Sequence, residues 1–347
     1  MKKTLAALIV TAFAASAANA AVVYDNEGTK VELKGSLRLI MEKADKKEYT
    51  AAGQSTKKAN SALRNAGSRF GITVKHNLDN DFYALGRLEF RFDDTTSRDK
   101  FGRLYAKRAY VGLGSKATGD ITFGRQLTIA DDLSQAVDYE YGFIPKSEYI
   151  PTAGTGVVRY DYKGIEGLQL SANYNFGQTN DEKGNPLKPG IKNAYAVGAL
   201  YTVGDLDARL AYGHTNFETG ASYAHRLDGV LASLGYKFGD FTLTGDFGYG
   251  HEKLDDAKVN KFYVSPGFAY QVVPASKVYG NYLYERAKGE SDKVKTHGFL
   301  LGADYKLHKQ VVLFVEGKYV TTKEYVNDTY DGKTKDRAIG VGMRVYF

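Results

Sequence analysis

From Thr29 onward, polar and apolar residues alternate along the chain with a period of two. In 82–93, for example, Phe82, Leu88 and Phe90 share one face, and Arg87 and Glu89 share the other. Turn-like connections separate these segments at 79–81, 117–120, 163–167, 204–205, 239–240, 274–276 and 308–310. Long polar segments lie at 44–65, 94–102, 126–155, 178–192, 217–226, 252–260, 288–295 and 323–335. The pattern predicts sixteen strands joined alternately by short turns and long loops.

This arrangement predicts an all-β fold, a 16-stranded antiparallel transmembrane β-barrel. Such barrels have short turns at one rim, long loops at the other, and about 40 residues per hairpin. A soluble sandwich also alternates, but the last strand here carries an apolar stripe to the final residue, Phe347. Only a closed sheet can present such a belt to lipid without an unpaired edge. Within a predicted strand, Pro266 lacks the N–H that a ladder needs, which predicts a bulge or a local defect there.

Residues 1–20 are typical of a secretory signal peptide. A basic start at Lys2 and Lys3 precedes an apolar run and the small-residue site Ala18-Asn19-Ala20. We therefore expect export through the periplasm, and a single barrel domain over 21–347. No apolar run reaches the roughly 18 residues of a membrane-spanning helix, which argues against a helical membrane protein.

The composition narrows the function. Twenty-seven Tyr and 18 Phe are typical of strands, and the absence of Cys rules out disulfides as a source of stability. The charge of +7 falls to +5 without Lys2 and Lys3 and is scattered, which argues against a nucleic-acid partner. The six His form no triad with Ser and a carboxylate and have no metal-ligand spacing, so we expect neither an enzyme nor a cofactor or metal.

One segment, 126–155, interrupts the strand pattern and is acidic. It carries five carboxylates against a single Lys146, and it is broken by Gly and Pro. A loop of this length in a regular chain is usually functional or disordered.

Several motifs resemble the trimeric general porins of Gram-negative outer membranes. They are Ala109-Tyr110-Val111-Gly112-Leu113, Gly119-Asp120-Ile121-Thr122-Phe123-Gly124-Arg125-Gln126, Val158-Arg159-Tyr160-Asp161-Tyr162 and the terminal Phe347. The opening 26–33, Glu140-Tyr141-Gly142 and Tyr149-Ile150-Pro151-Thr152 are similar to the Pasteurellaceae major porin in particular. Glu140-Tyr141-Gly142 is similar to the family's Pro-Glu-Phe-Gly-Gly loop tip, although Pro is absent and Phe143 replaces the second Gly.

The resemblance implies an outer-membrane homotrimer whose third loop folds into the pore and faces a basic wall. It also implies contact with outer-membrane lipid and lipopolysaccharide, and assembly by the barrel-assembly machinery through the C-terminal Phe347. On the loop, the resemblance places the acidic side of the constriction at Asp131, Asp132, Asp138 and Glu140. It places Arg69, Lys107 and Arg159 on the basic wall, and alternation adds Arg38 and Arg87. Arg108 and Arg125 fall on the lipid face by alternation, where a charge is costly, so we expect them at the trimer interface.

The predicted function is passive diffusion of ions and small hydrophilic solutes, sorted by size and charge at the constriction. The alternative is a structural or adhesive outer-membrane barrel with a blocked lumen. A substrate-selective channel would need aromatic side chains along the lumen, and Tyr139, Tyr141 and Tyr149 keep that possibility open. The preference between anions and cations stays open because the loop and the wall act in opposite directions.

Overall fold

The structure, a computed structural model, describes residues 20–92, 101–219 and 224–347. The predicted signal peptide lies outside the described residues except for Ala20. The described strands are β1 (Ala21–Asn26), β2 (Thr29–Thr50), β3 (Ser55–Asn65), β4 (Arg69–Asn77), β5 (Phe82–Phe92), β6 (Leu104–Ser115), β7 (Gly119–Leu127), β8 (Ala153–Ile165), β9 (Leu168–Asn175), β10 (Gln178–Asn180), β11 (Pro186–Val203), β12 (Leu206–Phe217), β13 (His225–Phe238), β14 (Phe241–Leu254), β15 (Ala257–Val273), β16 (Ser276–Lys288), β17 (Asp292–His308), β18 (Val311–Val326) and β19 (Thr329–Tyr346).

These segments form a closed 16-stranded antiparallel barrel, which confirms the predicted fold. Strands β3 and β4 both pair with β2 and make one barrel strand, and β9 and β10 do the same along β11. The sheet closes where β19 pairs with β2, with Val341 opposite Met41. Beyond the end of β19, β1 continues along the same edge of β2. Phe347 completes the closure by exchanging two backbone hydrogen bonds with Gly35, at 2.7 and 3.1 Å.

The outside of the barrel is apolar. Leu37, Met41, Val111, Leu301 and Ile339 are each more than half exposed. Because successive side chains point to opposite faces of a sheet, the residues between them point into the lumen. A belt of this kind suits contact with hydrocarbon, since the closed sheet leaves no unpaired edge. Among the described residues, no helix is both long and apolar enough to cross a bilayer.

Four of the eight predicted long loops are wrong. The polar segments 44–65, 252–260, 288–295 and 323–335 continue as paired strands and end in turns of two to four residues. Their charged residues also alternate and pair, as Lys46 does with Glu48 at 2.7 Å, so polarity alone does not end a strand. Only the connection from Thr128 to Thr152 is both fully described and long.

Pro266 produces a defect without a bulge. Pairing between β15 and β16 runs through Val264 with Tyr284, omits Ser265 and Pro266, and resumes at Gly267 with Asn281 in the same register. The missing N–H therefore interrupts the ladder but does not shift it.

Candidate functional site

The loop 128–152 packs against the inward face of the barrel. Two short 3-10 helices, Ile129–Asp132 and Lys146–Glu148, give it regular structure. Its residues Ile129, Leu133, Tyr149 and Ile150 are fully buried against inward-facing side chains of the wall: Ala196, Ala211, Leu231, Tyr263 and Leu283. A second cluster joins Tyr141 at the loop tip to Ile40, Tyr279, Leu300 and Phe314. The buried core of this protein thus lies between the loop and one part of the inner wall.

Glu316 on β18 fixes the loop tip. Its carboxylate accepts backbone N–H groups from Tyr139, Glu140 and Tyr141 at 2.7, 2.8 and 2.5 Å, and the Tyr279 hydroxyl at 2.9 Å. The Glu316 residue is fully buried. Four donors to one buried carboxylate satisfy its charge and hold three consecutive loop residues in place.

Two further wall carboxylates hold the loop upstream of the tip. Asp246 on β14 accepts the Ser134 hydroxyl at 2.6 Å and the Gln135 N–H at 3.1 Å. Asp304 on β17 accepts the Tyr139 hydroxyl at 2.6 Å. Burial, together with this bond to Asp304, raises the pKa of Tyr139, so the phenol remains a donor. We call Asp246, Asp304 and Glu316 the loop anchors.

Glycines on the wall let the loop approach closely. A Cβ at Gly229 would lie 2.2 Å from the Tyr149 carbonyl oxygen, and one at Gly340 would lie 2.6 Å from the Tyr141 hydroxyl. At Gly229 the obstacle is loop backbone, so no larger residue fits there without displacing the loop.

Two of the four predicted acidic residues are ion-paired. Asp132 contacts Arg159 at 2.9 Å, and Glu140 contacts Arg64 at 2.6 Å. Asp131 and Asp138 form no side-chain ion pair within the described ranges, and Asp138 is exposed. Of the four predicted acidic residues, these two therefore keep carboxylates without a cationic partner among the described residues.

Among the predicted basic residues, Arg38, Arg69 and Arg87 come together with three arginines that were not assigned to the wall. Arg87, Arg91 and Arg108 surround Glu89 at 2.6, 2.7 and 3.7 Å. Arg344 on β19 lies beside Arg38, and its guanidinium donates to the Tyr139 carbonyl oxygen. Five of the six border a cavity of about 190 Å³. We call these six residues the arginine cluster: Arg38, Arg69, Arg87, Arg91, Arg108 and Arg344.

The placement of Arg108 on the lipid face is wrong. A bulge at Lys107 sets Arg108 opposite Glu89 and Ala106 opposite Phe90, so the register of β6 shifts by one residue. A one-residue shift moves a side chain to the other face of a sheet, and Arg108 joins the inward-facing Glu89.

Among the remaining predicted residues, Lys107 and Arg125 contact parts of the chain other than the predicted partners. Arg159 also pairs with Asp161 at 2.9 Å. Lys107 pairs with Glu182 in the turn between β10 and β11, rather than with the acidic loop. Arg125 donates to the carbonyl oxygens of Ala106 and Glu182, at 2.9 and 3.0 Å.

Sequence reasoning missed residues of two kinds. Arg91 and Arg344 had a signal, since each stands between two apolar residues of its strand. The loop anchors had none beyond their inward position, because each binds a loop residue more than 100 positions away.

Comparison with known proteins gives a consistent result. A family model described as Gram-negative porin matches residues 4–341. A major outer membrane protein of Pasteurella multocida is 31% identical, and the match covers all of both chains. Two solved structures share the fold at 18% identity. An outer membrane protein of Vibrio cholerae in its trimer form has a TM-score of 0.68, with 92% of this chain and 100% of that chain covered. An anion-selective porin from Comamonas acidovorans has a TM-score of 0.66 over the same shares of the two chains.

Proposed function

Since this chain belongs to the Gram-negative porins and is an outer-membrane channel protein, we propose that its lumen passes ions and small hydrophilic solutes by passive diffusion. A constriction between the loop and the arginine cluster sorts them by size and charge. No energy coupling is involved.

The observation that carries the proposal is the imbalance of charge across the lumen. The arginine cluster contains six guanidinium groups, three of which surround its one carboxylate, Glu89. The loop presents Asp131 and Asp138 without ion-pair partners among the described residues. Opposite charges on two sides of a narrow, wet passage produce a transverse field, which orients dipolar solutes and disfavours apolar ones.

The contacts of the loop tyrosines favour this general channel over one with an aromatic binding track. Tyr139, Tyr141 and Tyr149 donate their hydroxyls to Asp304, Glu42 and Glu285 at 2.6, 3.0 and 3.0 Å. Tyr141 and Tyr149 are buried, so these rings hold the loop rather than offer a stacking surface.

The active form in this proposal is a homotrimer in the outer membrane, reached through the periplasm after removal of residues 1–20. Support comes from the Vibrio cholerae relative, which is solved as a trimer. Arg125 remains our candidate for the interface. We also propose that Phe347, at the seam between β19 and β2, is recognised by the barrel-assembly machinery. Lipopolysaccharide, in this proposal, contacts the outward face of the barrel.

The test is the current through a planar bilayer of neutral lipid containing the purified protein under a salt gradient. Large, ohmic conductance steps grouped in threes are expected. The sign of the reversal potential then reports whether the arginine cluster or the loop carboxylates dominate. A silent membrane, with folding confirmed by heat-modifiable gel mobility, would contradict the proposal and favour the adhesive barrel with a blocked lumen.

A further inference from the structure

A second connection, besides the loop 128–152, reaches the lumen from the rim that carries the long connections. That rim is the extracellular one in barrels of this kind. Residues 178–186, which we call the rim hairpin, comprise β10 and the turn that leads into β11. The turn extends over the ends of β8 and β7, because Glu182 pairs with Lys107 on β6. Three strand spacings separate β9 from β6, which is about 14 Å. The rim hairpin therefore covers the part of the rim from which the loop 128–152 folds inward.

Hydrogen bonds fix the rim hairpin at its turn and at its base. In the turn, the Asp181 carboxylate accepts the backbone N–H groups of Lys183 and Asn185 at 2.9 and 2.8 Å. It also accepts the side-chain amide of Asn185 at 2.9 Å. At the base, the side-chain oxygen of Gln178 accepts the N–H and the hydroxyl of Thr155 on β8, at 2.9 and 3.2 Å. Because both ends are held, the residues at the tip have a defined position over the rim.

The tip of the rim hairpin contacts both sides of the wall. Arg125, which alternation places on the outward face, donates to the carbonyl oxygen of Glu182 at 3.0 Å. On the lumen side, the Lys183 ammonium lies 6.0 Å from the centroid of the Tyr105 ring. Tyr105 points into the lumen, since it lies directly opposite Arg91 on β5. Lys183 therefore lies at the extracellular edge of the arginine cluster, to which Arg91 belongs.

The two neighbouring residues at the tip have different roles. Partial burial favours a higher pKa for Glu182, but its contacts with Lys107 outweigh this effect and the pKa is lowered. The carboxylate is therefore charged at neutral pH and holds the tip to β6. Lys183 brings an ammonium group to the entrance of the arginine cluster. A cation at the mouth of a charged passage raises the local concentration of anions.

We propose that the rim hairpin is a second selectivity element of the channel. Lys183 is its specificity-determining residue and favours the entry of anionic solutes from the extracellular side. Glu182 is its positioning residue, since it holds Lys183 over the rim. A solute from outside meets Lys183 at the rim before it meets Arg91 in the wall. The proposal rests on the channel function given above and extends selectivity from the constriction to the entrance.

Because the sequence contains no Cys, one substitution introduces a single thiol for the test. The variant Lys183→Cys is labelled in detergent with a cationic or an anionic methanethiosulfonate, and complete labelling is confirmed by mass spectrometry. The reversal potential in neutral bilayers under a KCl gradient then gives the permeability ratio of chloride to potassium. In the unlabelled variant this ratio should fall about twofold, as expected for the loss of one partly screened charge beside a wet pathway. The cationic label should restore the wild-type ratio, and the anionic label should lower the ratio further.

Lys258→Cys is the matched control, because Lys258 is an exposed lysine near the same rim on β15, on the opposite side of the barrel. Neither label should change the permeability ratio of this variant. Equal ratios for the two labels on Lys183→Cys, or an equal response in the control, would overturn the proposal.

A double variant tests the positioning role of Glu182. When Glu182→Ala is combined with Lys183→Cys, the tip loses its ion pair with Lys107 and is no longer held over the rim. The difference in permeability ratio between the cationic and the anionic label should then be smaller than in Lys183→Cys alone. An undiminished difference would overturn the assignment of Glu182 as the positioning residue. A silent wild-type protein would contradict the channel function itself. An open wild-type channel that is insensitive to the charge at position 183 would contradict only the second selectivity element.

Discussion

The inner wall of this barrel has two regions that use charge differently. On β14, β17 and β18 the loop anchors are carboxylates, and each of them accepts at least one hydrogen bond from the loop. On β2, β4, β5, β6 and β19 the arginine cluster has far more donors than Glu89 can accept. In the first region the charged groups hold the loop in place. In the second region they keep a positive charge that water and solutes can contact. Position in the lumen alone therefore does not make a residue part of the selectivity machinery.

The largest effect is expected at the anchor Glu316. In Glu316→Gln an amide replaces a carboxylate that has four donors, so at least one buried N–H loses its acceptor. An unsatisfied buried donor costs about 1–3 kcal/mol, and more when the lost partner was charged. We expect a mobile loop tip, with higher open-channel noise and a changed single-channel conductance in planar bilayers.

Glu324→Gln is the matched control, because Glu324 lies on the same strand but is exposed. If both variants conduct as the wild type does, the loop anchors do not hold the loop, and the contrast between the two regions fails.

The second prediction tests the close approach of loop and wall. Gly229→Val should displace the loop at Tyr149, because its Cβ would lie 2.2 Å from a backbone oxygen. Overpacking of this kind costs about 1–3 kcal/mol. The thermal midpoint of heat-modifiable mobility should fall and the conductance should change. Gly245→Val is the control, since no atom lies within 4 Å of a Cβ there, and a similar fall in that variant would refute the steric explanation.

Most of the fold could be predicted from the sequence because alternation with a period of two is a local property. In the strand containing Phe299 and Leu301, a few consecutive residues are enough to assign the side chains to its two faces. The arginine cluster was only partly predicted, since the same alternation fails at a bulge. Lys107 adds one residue to β6 and reverses the faces beyond it, and nothing in the residues 104–115 marks that position.

The loop contacts could not be predicted either, and the reason is different. Ser134 and Asp246 are brought together only by closure of the sheet, and their pairing leaves no periodic signal. At the rim, charged residues do not distinguish a strand from a loop. Cross-strand ion pairs, such as Lys57 with Asp45 at 3.7 Å, let charged strands extend beyond the apolar belt.

The third prediction concerns the region whose charge is available. Arg38→Gln with Arg69→Gln removes two cations from the arginine cluster while the loop anchors stay intact. We expect unchanged thermal stability and a reversal potential shifted toward cations, most clearly at low salt, where screening is weakest. Arg226→Gln, at an exposed position outside the lumen, should leave the reversal potential unchanged. A loss of stability without a change in selectivity would show that these arginines are structural.

The smallest effect is expected where the two regions meet, at the ion pair between Asp132 and Arg159. In Asp132→Asn the guanidinium keeps Asp161 at 2.9 Å, so Arg159 is not left as an unpaired buried charge. Asp132 itself is partly exposed, and exposed pairs contribute about 0–1 kcal/mol. The thermal midpoint should therefore hardly change, and the added positive charge should shift the reversal potential slightly toward anions. Asp161→Asn is the comparison. A fall in stability with Asp132→Asn larger than with Asp161→Asn would mean that this pair anchors the loop, and the boundary between the two regions would move to β8.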